Sequence, residues 1–187
     1  MDATFGPIRH YVSRIAGPSM ALGSLVWIVI WARWASLPEA AAGEVKPGGE
    51  LFDMLTVFCV VLVLIGFTGA HFLQADRTWS ASASSVVLLW AGVAMMATWV
   101  AGLVGSYMAF VGGVLTLLLG SAIFCFASIR AQVLPTSAIV PVIVGVLLFF
   151  FMNPDDWRAL LAVPLGVSWL WLGYVLWGLA ARSSRVL

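Results

Sequence analysis

Long apolar runs separated by short polar segments dominate the pattern along this chain. Residues 19–34 and 54–73 form nearly continuous apolar stretches, and the second is closed by Asp76 and Arg77. An α-helix rises about 1.5 Å per residue and the hydrocarbon core of a bilayer is about 30 Å thick, so roughly 20 apolar residues cross it. Both stretches are therefore predicted to be transmembrane helices.

The segment from residue 78 to residue 129 is 52 residues long and contains no charged side chain. As a single helix it would measure about 78 Å, more than twice the hydrocarbon core, so the chain must turn back inside it. The predicted turn is "VGSYM" (residues 104–108), because glycine and serine weaken a helix and tyrosine prefers the membrane interface. This turn gives spans at residues 84–104 and 107–129.

Two further apolar runs, residues 137–152 and 159–180, are separated by "NPDDWR", whose Asn-Pro pair and charges indicate a turn. The predicted fold is therefore an all-α bundle of six transmembrane helices. It forms a single membrane domain over residues 1–187. The one sizeable segment outside the membrane is a loop at residues 35–50, whose Gly and Pro content argues against a folded domain.

The charges in the loops predict the orientation of this bundle. Six spans place both termini on one side, and that side carries six basic residues against three on the other. Because cytoplasmic loops are enriched in Lys and Arg, both termini are expected in the cytoplasm and the protein in the cytoplasmic membrane. The basic residues on the side of the termini are Arg9, Arg14, Arg77, Arg130, Arg182 and Arg185, and those opposite are Arg33, Lys46 and Arg158.

Composition supports lipid as the solvent of this chain. Hydrophobic residues make up 63% and charged residues 9% of the sequence, with a mean hydropathy of +1.07, whereas an ordinary soluble domain is about 25% charged. The net charge of +1 and the scattered basic residues give no case for nucleic-acid binding. Cys59 and Cys125 lie inside apolar runs without CxxC spacing, so we expect buried free thiols and no metal site.

The N-terminal segment allows a second interpretation. Arg9 and Arg14, the apolar run after them and "EAAAG" (residues 39–43) together resemble a signal peptide with a small-residue cleavage site. We expect the segment to be retained as the first span.

Charged side chains inside a membrane usually mark function, and none lies near the centre of a predicted span. The only lysine, Lys46, is in a loop, so no retinal Schiff base is indicated. The sequence shows no paired aspartates and no recognisable Ser/His pair at depth, as an intramembrane protease would need. Enzymatic activity is therefore not expected, although lipid-modifying enzymes can hold polar residues near the interface.

His71 is the most conspicuous polar residue in the apolar runs. It stands five residues before Asp76, which places it in the last turns of span two, on the predicted cytoplasmic side. The favoured interpretation is an interfacial histidine that is hydrogen-bonded to a carbonyl, a hydroxyl or water. Two alternatives are a haem or chlorin held between His71 and His10, the only other histidine, and a pH-sensing role.

Small residues recur at four- and seven-residue intervals in several spans. Such residues let transmembrane helices approach closely, so they predict a tightly packed bundle with spans three and four as a central hairpin. The pattern does not distinguish packing within the chain from contacts between subunits. The predicted helix-packing residues are Ala97, Ala101 and Gly105 in span three, Ala109, Gly113 and Gly120 in span four, and Gly166 and Gly173 in span six.

Pro141 and Pro164 fall within spans five and six, where each removes a backbone hydrogen bond and can kink its helix. Two facing kinks would form a cavity for a neutral solute, with Thr98 and Thr116 as further polar groups near its path. Proline is ordinary in membrane helices, so a purely structural role is the other interpretation.

The second half of the chain resembles a known family. "GGVLTLLLGSAIFCFASIR" (residues 112–130) and the hairpin at residues 142–182 with "NP" at its turn are similar to the glycine-punctuated hairpins of the HdeD-like six-span proteins. This resemblance implies a link to acid or general stress and no assigned activity. It carries over no catalytic or binding residue, and the long loop at residues 35–50 departs from the family pattern.

These features predict a non-enzymatic membrane protein that acts by association. It would be an accessory or scaffold subunit of a membrane complex, or a stress-related homo-oligomer. Its expected partners are the lipid bilayer and other membrane subunits or copies of itself, and no cofactor is required. The alternatives are a channel or carrier for a small neutral or lipophilic solute, and a subunit that binds haem or another pigment through His71.

Overall fold

The computed structural model describes residues 6–38, 49–153 and 156–183, with the backbone alone for residues 6–10, 13, 75–80 and 182–183. Regular structure in these ranges is entirely helical. The α-helices are α1 (Gly6–Ala35), α2 (Gly49–Val100), α3 (Tyr107–Ala131), α4 (Thr136–Phe149) and α5 (Ala162–Ser183), and a 3-10 helix (Trp157–Leu161) leads into α5.

The long helix α2 reverses direction within its length. Its backbone is helical over 52 residues, but Trp90 Nε1 donates a hydrogen bond to Thr68 Oγ1 at 3.1 Å. In a straight helix, 22 residues would separate these two positions by about 33 Å. The first half (Gly49–Gln74) and the second half (Ala81–Val100) therefore pack against each other as an antiparallel hairpin.

Five helical segments in the described ranges are long and apolar enough to cross a membrane, so the fold is that of a membrane helical bundle. They are Arg14–Ala35, Gly49–Gln74, Ala81–Val100, Tyr107–Ala131 and Trp157–Ala181. The predicted fifth span coincides with α4, which is apolar but has only 14 residues. A helix of this length measures about 21 Å, short of the hydrocarbon core.

Helix α1 is central in the bundle, because it packs against both α2 and α5, and α4 lies between α3 and α5. The sequence predicted spans three and four as the central hairpin, and the second half of α2 does pack closely against α3 through Gly92 and Gly113. Ala81–Val100 has the smallest buried share of the five segments and Trp157–Ala181 the largest. Small residues such as Ala91 and Ala94 are exposed, since none of the described helices covers them.

Several helix ends differ from the predicted span limits. The third span was predicted to reach residue 104, but α2 ends at Val100 and the chain continues through Gly102 with a φ of 70°. Ser106 then caps α3 by accepting a hydrogen bond from the Met108 backbone amide. The predicted fifth span ran to residue 152, whereas α4 ends three residues earlier. α1 begins well before the predicted residue 19, and the predicted cleavage segment at residues 39–43 lies outside the described residues.

Large apolar side chains cover much of the outside of the bundle. Leu119, Phe126 and Leu147 are each more than half exposed on α3 and α4. A soluble protein rarely shows such continuous apolar surface, whereas a bilayer solvates it. The surface and the helix lengths together define a protein of the integral-membrane class.

Candidate functional site

His71 lies in the first half of α2 and is buried, with 5% of its surface exposed. Its Nδ1 atom is 2.8 Å from Ser82 Oγ, in the second half of the same helix. The histidine is thus hydrogen-bonded to a hydroxyl, as the favoured interpretation predicted, but it is enclosed by protein. The contact spans the bend of α2 and ties its two halves together.

Other buried polar side chains surround this contact. Gln74 and Ser85 are also buried, and Ser85 Oγ donates to the backbone oxygen of Ser82 at 2.7 Å. We call His71, Gln74, Ser82 and Ser85 the polar layer of α2. One turn away from His71, Thr68 accepts the hydrogen bond from Trp90 described above. Two polar contacts, one between His71 and Ser82 and one between Thr68 and Trp90, therefore join the two halves of α2.

Helix α3 adds two buried hydroxyls to the same bundle. Ser121 and Ser128 lie seven residues apart on its buried face, and neither hydroxyl has a hydrogen-bond partner among the described residues. This face packs against the second half of α2, where a Cβ on Gly120 would lie 2.9 Å from Leu89. Sequence reasoning missed both serines because a hydroxyl in an apolar run is read as a tolerated small residue.

The distance between His71 and Ser82 is that of a nucleophile and its general base. Sequence reasoning did not recognise this pair, because the two residues are eleven positions apart and meet only through the bend. Ser82 has no exposed surface, so its hydroxyl is not accessible to a substrate in this arrangement, and its backbone belongs to a helix. The geometry fits a clamp on the α2 hairpin better than it fits a catalytic dyad.

The predicted partner of His71 for haem ligation is His10. Its backbone belongs to α1, and its side chain lies outside the described residues. Across the described part of the chain, no group of three or more His, Cys, Asp and Glu side chains is placed to hold a metal ion. His71 already uses one ring nitrogen in its contact with Ser82.

Four predicted packing residues lie at helix contacts within the chain. A Cβ on Gly113 would lie 2.6 Å from the backbone oxygen of Gly92, so α3 and the second half of α2 touch through their backbones. Gly120 meets Leu89 on the same interface. Gly166 and Gly173 face α1 instead, where added Cβ atoms would lie 2.7 Å from Trp27 and 3.0 Å from the Ala21 amide nitrogen, respectively.

The remaining predicted packing residues do not share a buried face. Ala101 and Gly105 follow the end of α2 and are exposed, and a Cβ on Gly105 would meet nothing within 4 Å. Ala97 and Ala109 are half-buried. The four-residue repeat that joined Ala97 to Gly105 is broken because the helix ends at Val100.

Pro141 and Pro164 both line one groove. The groove runs between α4 and α5, has a volume of about 850 Å³ and is lined almost wholly by apolar side chains such as Val144. Its one hydroxyl, that of Ser168, donates to the Leu165 backbone oxygen. Thr98 and Thr116 lie elsewhere and bond carbonyls of their own helices, so they add no polar lining.

An aromatic cluster joins the helices at the opposite end from the bend of α2. Trp27 contacts Trp31 and Trp169 at centroid distances of 5.5 and 5.2 Å, and Phe149 of α4 lies 5.9 Å away. The Trp27 indole donates a hydrogen bond to the Ala162 backbone oxygen at 2.8 Å. These three tryptophans are buried and fill part of the core.

Asp156 starts the 3-10 helix at the turn between α4 and α5. Its carboxylate accepts hydrogen bonds from the Arg158 side chain, with a shortest distance of 2.7 Å, and from the Arg158 amide. The bond from the Arg158 side chain is the largest cause that lowers the pKa of Asp156 below its ordinary value. The contact is exposed and stabilises the turn locally.

The site and fold place this chain in the class of all-helical, integral-membrane proteins. Within that class it matches no protein-family model, no curated protein and no solved structure. The resemblance to the HdeD-like proteins therefore stays a prediction.

Proposed function

We propose that this protein is a non-enzymatic integral membrane protein that acts by association with other membrane helices. These belong to other subunits of a membrane complex, for which the chain is an accessory or scaffold subunit, or to further copies of itself. In this proposal α4 completes a six-span bundle, and the excess of basic residues places both termini in the cytoplasm. A stress-related homo-oligomer, as the HdeD-like resemblance implies, is one form of it.

The observation that supports the proposal is that neighbouring helices of the chain cover α4 only in part. This helix is too short to match the hydrocarbon core, and an apolar groove runs along each of its flanks. The larger groove is that of Pro141 and Pro164, and the smaller one, of about 270 Å³, lies against α3 at Phe126 and Leu147. The free energy of a short helix with grooves on both flanks is lower when a partner helix packs into the grooves than when the bilayer must thin around the helix.

The test is the mass of the protein extracted from its native membrane in a mild detergent. We expect an assembly larger than one 20.0 kDa chain. Val144→Trp fills the larger groove and is expected to release the chain as a monomer. Leu119→Trp is the matched control, because Leu119 has a similar exposure on α3 but lines neither groove.

A monomeric wild-type protein would contradict the proposal, and so would an assembly that Val144→Trp leaves unchanged. The proteins that co-purify decide between the two forms. Other subunits in fixed ratio would identify an accessory subunit, and a multiple of this chain alone would identify a homo-oligomer.

A second candidate, a carrier for a lipophilic solute, is favoured by the size of the same groove. Ligand pockets commonly measure about 300–1,000 Å³ and are mostly apolar, and the α4–α5 groove meets both conditions at about 850 Å³. Uptake of an apolar fluorescent probe into proteoliposomes tests it. Transport that Val144→Trp abolishes, in a monomeric wild-type protein, would favour this candidate over association.

The third candidate is haem or pigment binding through His71. Its support is the position of a buried imidazole near one end of the bundle. A purified native sample with a Soret band that His71→Ala removes would establish it. A sample without visible absorption would eliminate it.

A further inference from the structure

A narrow groove lies between the C-terminal end of α1 and the N-terminal end of α2. Its volume is about 260 Å³, and Val29, Ile30 and Leu55 form its apolar floor. This volume is below the common range of ligand pockets, so the groove suits a slim, flexible group better than a bulky ring system. A segment of a lipid acyl chain is such a group.

Arg33 stands at the mouth of this groove, in the last turn of α1. Its side chain is exposed and donates one hydrogen bond, of 3.3 Å, to Ser36 Oγ. Within the described ranges it forms no ion pair with a carboxylate. A guanidinium has five N–H donors in a planar fork, and this fork matches the oxygens of a phosphate. Among the described residues, most of the hydrogen-bonding capacity of the Arg33 guanidinium is therefore unused.

The position of the groove matches the headgroup level of a membrane. α1 ends at Ala35 and α2 begins at Gly49, so the mouth lies where two of the apolar segments end. Trp34 and Phe52 stack at a centroid distance of 4.2 Å and form its side wall. Tryptophan is enriched at membrane interfaces, because its ring is apolar and its N–H is polar.

The charge at this groove also separates it from the other grooves of the bundle. No charged residue lines the groove between α4 and α5. Glu50 and Asp53 face a different pocket, together with Trp99, across the first turns of α2. The Arg33 guanidinium therefore attracts a headgroup with a net negative charge. It attracts a zwitterionic headgroup less, because the cationic group of that headgroup lies close to the same guanidinium.

We propose that this groove is a binding site for one anionic glycerophospholipid. An acyl chain lies along Val29, Ile30 and Leu55, and the phosphate accepts hydrogen bonds from the Arg33 guanidinium. The site involves neither the polar layer of α2 nor the face of α4, so it stands independently of the function proposed above.

Native mass spectrometry of the full chain in detergent tests the site. The probes are phosphatidylglycerol and phosphatidylcholine, titrated separately, with folding of each variant checked by circular dichroism. We expect one phosphatidylglycerol to bind more tightly than phosphatidylcholine. Arg33→Gln is expected to weaken phosphatidylglycerol binding about tenfold, since charge-assisted hydrogen bonds are lost, and Arg33→Lys is expected to weaken it less.

Two further variants separate headgroup from chain binding. Leu55→Trp fills the floor and is expected to weaken binding of both lipids, whereas Leu119→Trp adds the same side chain on α3 and leaves both unchanged. Arg158→Gln is the control for the loss of one arginine. It is expected to leave phosphatidylglycerol binding unchanged, because Arg158 already pairs with Asp156 at 2.7 Å.

Three outcomes would overturn the proposal. The first is equal phosphatidylglycerol affinity in the wild type and in Arg33→Gln. The second is Arg33-dependent binding of inorganic phosphate without lipid, which would make the site a free-anion site. The third is a second copy of the chain held at this end, seen as a dimer that Arg33→Gln dissociates while lipid binding stays absent.

Discussion

The contact between α1 and α5 and the contact between α4 and α5 show two ways of packing helices in one bundle. α1 and α5 approach until glycine backbones touch, and a Cβ on Gly17 would lie 2.6 Å from the Trp177 amide nitrogen. α4 approaches α5 closely at Gly145, and a groove of about 850 Å³ opens between the two helices beside this contact. In lipid, helices associate through close packing, so the first contact is expected to contribute more to the stability of the fold, and the second leaves apolar surface uncovered.

The largest expected effect distinguishes two tryptophans that make similar hydrogen bonds. The indole of Trp27, in the core, donates a hydrogen bond of 2.8 Å to the Ala162 backbone oxygen. The indole of Trp171, on the side of α5 that faces α4, donates one of 3.0 Å to the Ser137 backbone oxygen. Trp27→Ala leaves a large cavity and is expected to lower the free energy of unfolding by about 4 kcal/mol.

Trp171→Ala removes one hydrogen bond and a side chain that is 45% exposed. We expect it to lower the free energy of unfolding by about 1 kcal/mol. Unfolding in bicelles by sodium dodecyl sulfate measures both values. Equal losses for the two variants would show that the core and the α4 side are packed alike.

The next effect tests the close contact between α1 and α5 directly. Gly17→Val forces side-chain atoms into the α5 backbone, and we expect a loss of about 3 kcal/mol from overpacking. Gly178→Val is the matched control on α5, since a Cβ there meets nothing within 4 Å, and we expect a change within about 0.5 kcal/mol. The measurement is again unfolding in bicelles. An unchanged free energy of unfolding in Gly17→Val would mean that α1 and α5 separate easily. The α1–α5 contact would then not be tighter than the α4–α5 contact.

A smaller effect concerns the clamp on the α2 hairpin. A double-mutant cycle of His71→Ala and Ser82→Ala isolates the 2.8 Å contact between the two side chains. Hydrogen bonds between transmembrane helices contribute about 0.6 kcal/mol on average and reach roughly 1.7, so we expect a coupling energy of about 1 kcal/mol. A coupling energy near zero would show that the contact between His71 and Ser82 does not stabilise the α2 hairpin. Labelling of Ser82 by a fluorophosphonate would instead show that the pair is a catalytic dyad.

The smallest effect concerns the turn that joins α4 to α5. Because the pKa of Asp156 is lowered in the folded protein, its contribution to stability is present above its unfolded pKa. That contribution is lost as the pH falls through the lower, folded pKa. Asp156→Asn is therefore expected to lower the thermal midpoint slightly at pH 7, and the difference from the wild type is expected to shrink below about pH 4. A difference that persists in acid would assign the effect to the shape of the side chain.

Small residues illustrate how far the sequence predicts the packing. Gly113, Gly120, Gly166 and Gly173 were singled out by their spacing, and each lies where an added Cβ would come within about 3 Å of another helix. The same spacing rule also selected Gly105, which lies in an open connection. A repeat marks a helix face only while the helix continues, and spacing alone does not show where the helix ends.

The candidate site was predictable only in part for a related reason. His71 was recognisable as the polar residue of an apolar run, and its distance to Asp76 predicted a position in the last turns of that run. Ser82 was not recognisable as its partner, because serine is common in membrane helices and eleven residues separate the two. Pro141 and Pro164 were easier to relate, since α4 and α5 are consecutive in the chain and a short turn makes them neighbours.

The sequence by itself determined that this protein is a bundle of apolar helices, because a chain with 9% charged residues has no surface for water and lipid admits helices with satisfied backbones. It also located most helices, since their length follows from the thickness of the bilayer. Only the tertiary structure decided which helices are central, that α2 folds back through His71 and Ser82, and that α4 is short and flanked by grooves. Hydropathy is alike on every side of these helices, so contacts between them depend on the shape of facing side chains, which a linear pattern does not encode.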